Sequence, residues 1–177
     1  MINDYQWDTE FSKLFARCLD RYQGGDTDFD TYYGKEDLAF LYSIGYKPRE
    51  FFDFVEDFAD ESVPTPTTAI LVAAVRRDYF MAIQKGGGSD TMLTPDELPG
   101  REDQWGGHVW LPRITAKARA KLKGELHPDI MYCCGGDRKF LSKYNIHPAD
   151  FLRVVWAARE VDDAITQYVT NNTPTPT

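Results

Sequence analysis

Apolar residues at Phe11, Leu14, Phe15, Cys18, Leu19 and Tyr22 recur in steps of three and four, which predicts an amphipathic helix ended by Gly24-Gly25. After an acidic loop from Asp26 to Asp30, a second short helix is expected from about Glu36 to Ile44, stopped by Gly45. Pro48 then opens a third, carrying Phe51, Phe52, Phe54, Val55 and Phe58. Val63 to Thr68 (VPTPTT) reads as a stiff connector whose threonines cap the next element. That element, Ala69 to about Gln84, is the most apolar stretch; its length favours a buried helix over a strand, and Gly86-Gly87-Gly88 supplies the stop. Residues 86–108 form a long loop of a kind that is functional or mobile when it occurs in a compact domain. A short strand is expected near His108 to Leu111, followed by a basic helix from Pro112 to about Lys123 that stops at Gly124. Three more helices are expected at about Arg138 to Tyr144, Pro148 to Arg159 and Val161 to Val169, with residues 170–177 a disordered tail.

The pattern also repeats. Shifting the chain by 100 residues lays 32–55 on 132–155 with identities at Tyr32/Tyr132, Asp37/Asp137, Phe40/Phe140, Leu41/Leu141, Pro48/Pro148, Phe51/Phe151 and Val55/Val155. Gly45 and Asn145 match in kind, because both accept the left-handed conformation that ends a helix. Each copy reads as helix, tight turn, proline, helix, with an aromatic face that needs a partner. The fold class expected is all-α: a single compact, pseudo-symmetric domain over 1–170. Copy one spans about 8–60, a connecting helix 68–85, the long loop 86–108 and copy two 109–169. Phe40, Phe51, Phe52, Phe140, Phe151 and Leu152 are expected in the core.

The chain has 177 residues, and 20 Lys+Arg against 28 Asp+Glu give a net charge of −8. That balance opposes sequence-independent binding to nucleic acid or anionic lipid. No stretch approaches a membrane span, and the N-terminus has no basic and apolar leader pattern, so neither membrane nor nucleic acid is expected as a partner. Three cysteines, two of them adjacent, make no disulfide framework and point to a reducing cytoplasm. The acid is concentrated early: residues 1–66 hold 15 acidic and 6 basic side chains.

From Leu111 onward several short words recur in a spaced set: Leu111-Pro112-Arg113, Lys117-Ala118-Arg119-Ala120, Gly124, Tyr132, Asp137, Phe140-Leu141, Ile146 and Phe151-Leu152. With these the region from about 109 to 168 resembles an uncharacterised bacterial family labelled domain of unknown function 5069. The resemblance implies a small soluble bacterial helical protein and brings no established activity. The chain departs from the family pattern in its extra N-terminal copy and in Cys133-Cys134-Gly135-Gly136 before Asp137. A role shared across the family would therefore fall more safely on Arg113, Lys117, Arg119 and Asp137 than on the cysteines.

The loop from Tyr132 to Arg138 carries the most unusual chemistry: two thiols immediately before a diglycine at the start of a helix. Helix N-termini favour thiolates and bind anions through free N–H groups. Cys133, Cys134 and Asp137 are thus the candidate catalytic residues, with Gly135, Gly136 and Arg138 as candidate ligand-binding neighbours. The plainer reading makes the cysteines buried side chains, the glycines turn geometry and Asp137 an N-cap, and Tyr33-Gly34 in place of the cysteines of copy one argues for it. Arg113, Lys117 and Lys121 share one helix face and either receive an anionic ligand or pair with carboxylates within the chain. Trp110, with Trp105 and His108, flanks Gly106-Gly107 as a lid or as a docking contact for the loop. No CxxC or HxxxH spacing exists, so no metal and no cofactor are expected. The leading functional reading is a binding or regulatory module for a protein partner or small anionic ligand, as monomer or homodimer. The competing one is a small enzyme acting on an anionic small molecule through the 133–136 loop facing the basic helix.

Overall fold

A computed structural model describes residues 4–174, and among these the chain is mainly helical. It packs as two compact units that divide between Gly88 and Ser89. The first holds α1 (Trp7–Gln23), α2 (Lys35–Ser43), α3 (Pro48–Glu61) and α4 (Pro66–Ala82). The second holds a two-residue hairpin, β1 (Gln104–Trp105) and β2 (His108–Val109), then α5 (Leu111–Lys123), α6 (Gly135–Lys143), α7 (Pro148–Ala158) and α8 (Asp162–Asn171). Of the tail expected over 170–177, Thr170 and Asn171 close α8, and 175–177 lie outside the described residues.

In the first unit α1 packs on α3 and α4, and α3 on α4. The apolar stretch that opens α4 therefore buries Ala69, Val72, Ala73 and Val75 within this unit. Thr65 caps α4 by accepting the Thr68 N–H at 3.2 Å, and Pro66 occupies the first turn, where its missing N–H costs nothing. The aromatic faces interlock edge to face, with Phe11 and Phe51 ring centres 4.9 Å apart. Between α2 and α3 the chain turns at Gly45, whose φ is +72°; a Cβ there would stand 2.7 Å from the Phe80 ring, so both conformation and space demand glycine.

In the second unit α5 packs on α7 and α7 on α8. Helices α6 and α2 are each nine residues long and begin at positions 135 and 35, and α7 and α3 begin at Pro148 and Pro48. The turn after α6 uses Asn145 at φ 52°, where the first unit uses Gly45. Phe140, Phe151 and Leu152 are buried, as are Phe40, Phe51 and Phe52 in the first unit.

Two local expectations need correction. The long loop is not bare: Pro95–Glu97 forms a 3-10 turn, Leu93 pairs with Leu126, and β1 and β2 form an antiparallel pair with Trp105 opposite His108. His108 anchors that hairpin, its Nδ1 lying 2.8 Å from the Tyr144 hydroxyl on α6's C-terminal edge and its Nε2 2.9 Å from Thr170 Oγ1 on α8. The sixth helix does not start at Arg138. It starts at Gly135, with Cys134 as N-cap and the diglycine inside its first turn. Asp137 is accordingly the third helical residue and not the cap.

Candidate functional site

The early start of α6 carries Asp137 into the interior, where its side chain is fully buried. Burying a carboxylate costs several kcal/mol unless the charge is paired and its lone pairs are filled. Both conditions are met. Lys117, from the middle of α5, brings Nζ to 2.5 Å from Asp137 Oδ2 while remaining only 4% exposed itself. The Cys133 N–H donates to the same oxygen at 2.9 Å, and the indole N–H of Trp110 donates to Oδ1 at 2.9 Å.

The backbone is shaped to deliver these donors. Trp110 and Cys133 both take left-handed conformations, with φ of 79° and 75°. The other non-glycine residues with positive φ, Ser62, Lys85, Asn145 and Arg159, follow the C-terminal ends of helices, where a residue such as Ser62 in the left-handed region is routine. Trp110 and Cys133 instead stand just before the N-termini of α5 and α6. A non-glycine residue held this way costs about 1–3 kcal/mol. Two such residues directing N–H groups at one carboxylate mark a place where the surrounding packing sustains strain. The Trp110 ring also explains the second glycine: a Cβ on Gly136 would stand 2.4 Å from Trp110 Cζ2, so the indole rests on bare backbone.

Around this pair lie the remaining candidates. Cys134 Sγ accepts from Lys117 Nζ at 3.1 Å, which puts one ammonium between a thiol and a carboxylate. The Cys134 side chain is partly exposed, whereas Cys133 is buried. Arg138 donates to the Cys133 carbonyl at 2.8 Å and closes the loop from the outside. Arg113 donates to the Pro99 carbonyl at 2.7 Å, with its guanidinium 5.6 Å from the Trp110 ring centre. Tyr132, buried beside Cys133 and Asp137, donates to the Pro148 carbonyl at 2.8 Å, and its hydroxyl is raised well above its ordinary pKa, first by burial.

Cys133, Cys134, Asp137, Lys117, Trp110, Gly136 and Arg138 thus form one contiguous cluster, with Arg113 joined through Trp110. Gly135 is exposed at its edge. The row Arg113, Lys117, Lys121 is not a cationic surface: Lys117 and Lys121 are buried, and Lys117 spends its charge on Asp137. Arg119 is also engaged within the unit, reaching Asp162 at 2.7 Å. Among the described residues no group of His, Cys, Asp and Glu gathers in a way that would hold a metal ion.

Pairing of Lys117 with a carboxylate within the chain was one of the two expectations, but the sequence reading did not name Asp137 as the partner, although a trace of it was present. Arg17 and Asp37, a hundred residues earlier, form an ion pair at 2.7 Å. A basic and an acidic residue at the same separation in both units is the signal that would have matched them.

Fold and site together define a helical unit built on a buried lysine–aspartate pair capped by an indole and bordered by a partly buried cysteine. Residues 99–177, most of the second unit and a little under half of the chain, match the family described as Domain of unknown function (DUF5069). No curated protein and no solved structure matches the chain. No helix among the described residues is long and apolar enough to cross a membrane.

Proposed function

We propose that the chain is a binding or regulatory module of a bacterial cytoplasm whose working element is the Cys134 thiol of the second unit, and that the first unit is a diverged copy without that element. One observation carries the reading: of three free cysteines, Cys134 alone is not buried, and an ammonium stands 3.1 Å from its sulfur. Lys117 Nζ and the free N–H groups of the first turn of α6 both favour negative charge at that position. Burial pushes the Cys18 thiol up to about 11. Three free cysteines accord with a reducing compartment, and the net charge of −8 argues against nucleic acid as partner. The equal nine-residue lengths of α2 and α6 and the two ion pairs at matching positions support the duplication.

Alkylation with iodoacetamide tests the reading, with each cysteine followed by peptide mass. Cys134 should label faster in the folded protein than in the urea-unfolded chain, while Cys18 and Cys133 should label only on unfolding. A group that is merely accessible reacts no faster folded than unfolded, so a slower folded rate at Cys134 would overturn the proposal. A small enzyme using Cys134 as nucleophile is the second reading, favoured by the strained backbone at Trp110 and Cys133. It requires in addition that a covalent adduct turn over, which the same mass measurement follows in time.

A further inference from the structure

The nearest neighbour of Cys134 Sγ across the site is an amine. Lys117 Nζ stands 3.1 Å from that sulfur, and its other partner, Asp137 Oδ2, is a carboxylate 2.5 Å away, able to take a proton from it. Cysteine sulfenic acids condense with nearby nitrogen nucleophiles to sulfenamides. We propose that on oxidation by a hydroperoxide Cys134 and Lys117 join in a reversible covalent S–N bond, making this site a redox-operated crosslink between α5 and the N-terminus of α6. The proposal rests on the reading of Cys134 as the working thiol.

The chemistry balances in two steps. In the first, Cys134 Sγ attacks the terminal oxygen of the peroxide; an S–O bond forms, the O–O bond breaks, and the departing oxygen leaves with the thiol proton as water or alcohol. Sulfur is oxidised to the sulfenic acid and the peroxide is reduced. In the second, Lys117 gives one proton to Asp137 Oδ2, and the freed lone pair on Nζ attacks Sγ. The N–S bond forms, the S–O bond breaks, and the hydroxyl leaves as water on taking that proton back. The remaining proton on nitrogen in excess of the neutral sulfenamide is released to solvent. A thiol reductant reverses the sequence by attacking sulfur and returning the amine.

Placement favours this partner over the other candidates. Cys133 Sγ is adjacent in sequence, but its residue is buried and held in a left-handed conformation by the bond from its N–H to Asp137. Lys117 arrives from a different helix and already points at the sulfur. Crosslinking removes the ammonium charge from a fully buried carboxylate, so oxidation changes the electrostatics of the interior and not only the covalent state of the surface. No such device is available in the first unit, where Gly34 stands at the position a hundred residues before Cys134.

The experiment treats the full chain with hydrogen peroxide, blocks free thiols, digests with trypsin without reductant and maps the peptides. A modified Lys117 is not cleaved, so the expected product joins 114–119 to 124–138 and is lighter than the sum of the two by two hydrogen atoms. It should disappear on reduction, be lost in Cys134→Ser and in Lys117→Arg, and persist in Cys133→Ser. Lys117→Arg keeps a cation for Asp137, and a melting curve confirms that each variant is folded. Recovery of 114–117 and 124–138 unlinked, with Cys134 as sulfinic or sulfonic acid or in a disulfide with Cys133, would overturn the crosslink. Fast iodoacetamide labelling alongside that result would leave the reactive-thiol reading standing, whereas a Cys134 inert to both reagents would defeat both.

Discussion

Asp137→Asn is the sharpest perturbation of the site, because its counterpart Asp37→Asn provides an internal control. The same kind of ion pair exists in both units at very different depths: side-chain exposures are 4% and 0% for Lys117 and Asp137 but 52% and 21% for Arg17 and Asp37. Removing one partner of a buried pair leaves the other charge without compensation, and typically costs about 3–5 kcal/mol. An exposed pair is screened by solvent and is worth about 0–1 kcal/mol. The asparagine keeps the shape but offers one acceptor oxygen in place of two, so it can accept from Trp110 or from Cys133 and not from both, and the loss combines the uncompensated charge on Lys117 with one unpaired donor. Urea unfolding followed by tryptophan fluorescence reads the second unit, since Trp105, Trp110 and Trp156 lie there and only Trp7 in the first. Circular dichroism over the same range reports both units and shows whether they unfold together. The expected result is a large fall in the midpoint for Asp137→Asn and almost none for Asp37→Asn. A loss below about 1 kcal/mol at Asp137, on the scale of an exposed pair, or equal losses at the two positions, would refute the argument that burial makes this pair structural.

Three further outcomes are expected. Phe151→Ala, at a residue with no exposed surface, should cost about 3–5 kcal/mol in the same denaturation assay, and a small loss would contradict its core position. Gly136→Ala should destabilise by about 1–3 kcal/mol and shift the Trp110 emission, because the new methyl meets the indole, whereas Gly135→Ala, whose nearest neighbour would be Arg138 at 3.8 Å, should be tolerated. The His108 imidazole is lowered from its ordinary pKa by burial, with Lys143 adding, so the unfolded chain binds the proton first as pH falls; stability should therefore drop below about pH 6.5, and comparison of melting temperature against pH with His108→Gln, which lacks that drop, checks it.

What could be read in advance was what local sequence decides. The apolar steps of Phe11 to Cys18, the proline starts at 48 and 148, and the stops at Gly45 and Gly124 each depend on a few neighbouring residues, and all appear where the pattern put them. The start of α6 was misplaced because glycine is a poor helix residue when judged locally, about 1 kcal/mol below alanine. What favours Gly136 there is the Trp110 ring, from a residue far away in sequence, and no periodicity encodes that contact. The choice between the two readings of Lys117 was hidden in the same way. On a helix wheel it joins Arg113 and Lys121 on a cationic stripe, and only tertiary packing turns that stripe inward against Asp137. The cysteines were distinguishable from each other only by burial, which places Cys133 inside and leaves Cys134 within reach of solvent.

The comparison between units narrows which residues make the site more than an ion pair. Asp37 accepts from the Gly34 N–H at 2.8 Å and pairs with Arg17, so a carboxylate at the third position of this helix serves its first turn in both units. Pairing alone therefore has a structural use that needs neither burial nor a thiol. The second unit adds Trp110, Cys134 and Gly136, and these three depend on one another. The indole can cover Asp137 only because position 136 has no side chain, whereas position 36 holds Glu36. The cover excludes water from Lys117 and Asp137, and a desolvated ammonium acts more strongly on the sulfur beside it than a hydrated one does. Loosening the cover should then matter to the thiol through Lys117 and Asp137. Trp110→Phe, which keeps a ring but loses the bond to Asp137 Oδ1, should slow alkylation of Cys134 in the folded protein while leaving its rate in urea unchanged. An unchanged folded rate would separate the indole from the thiol chemistry and reduce Trp110 to packing alone.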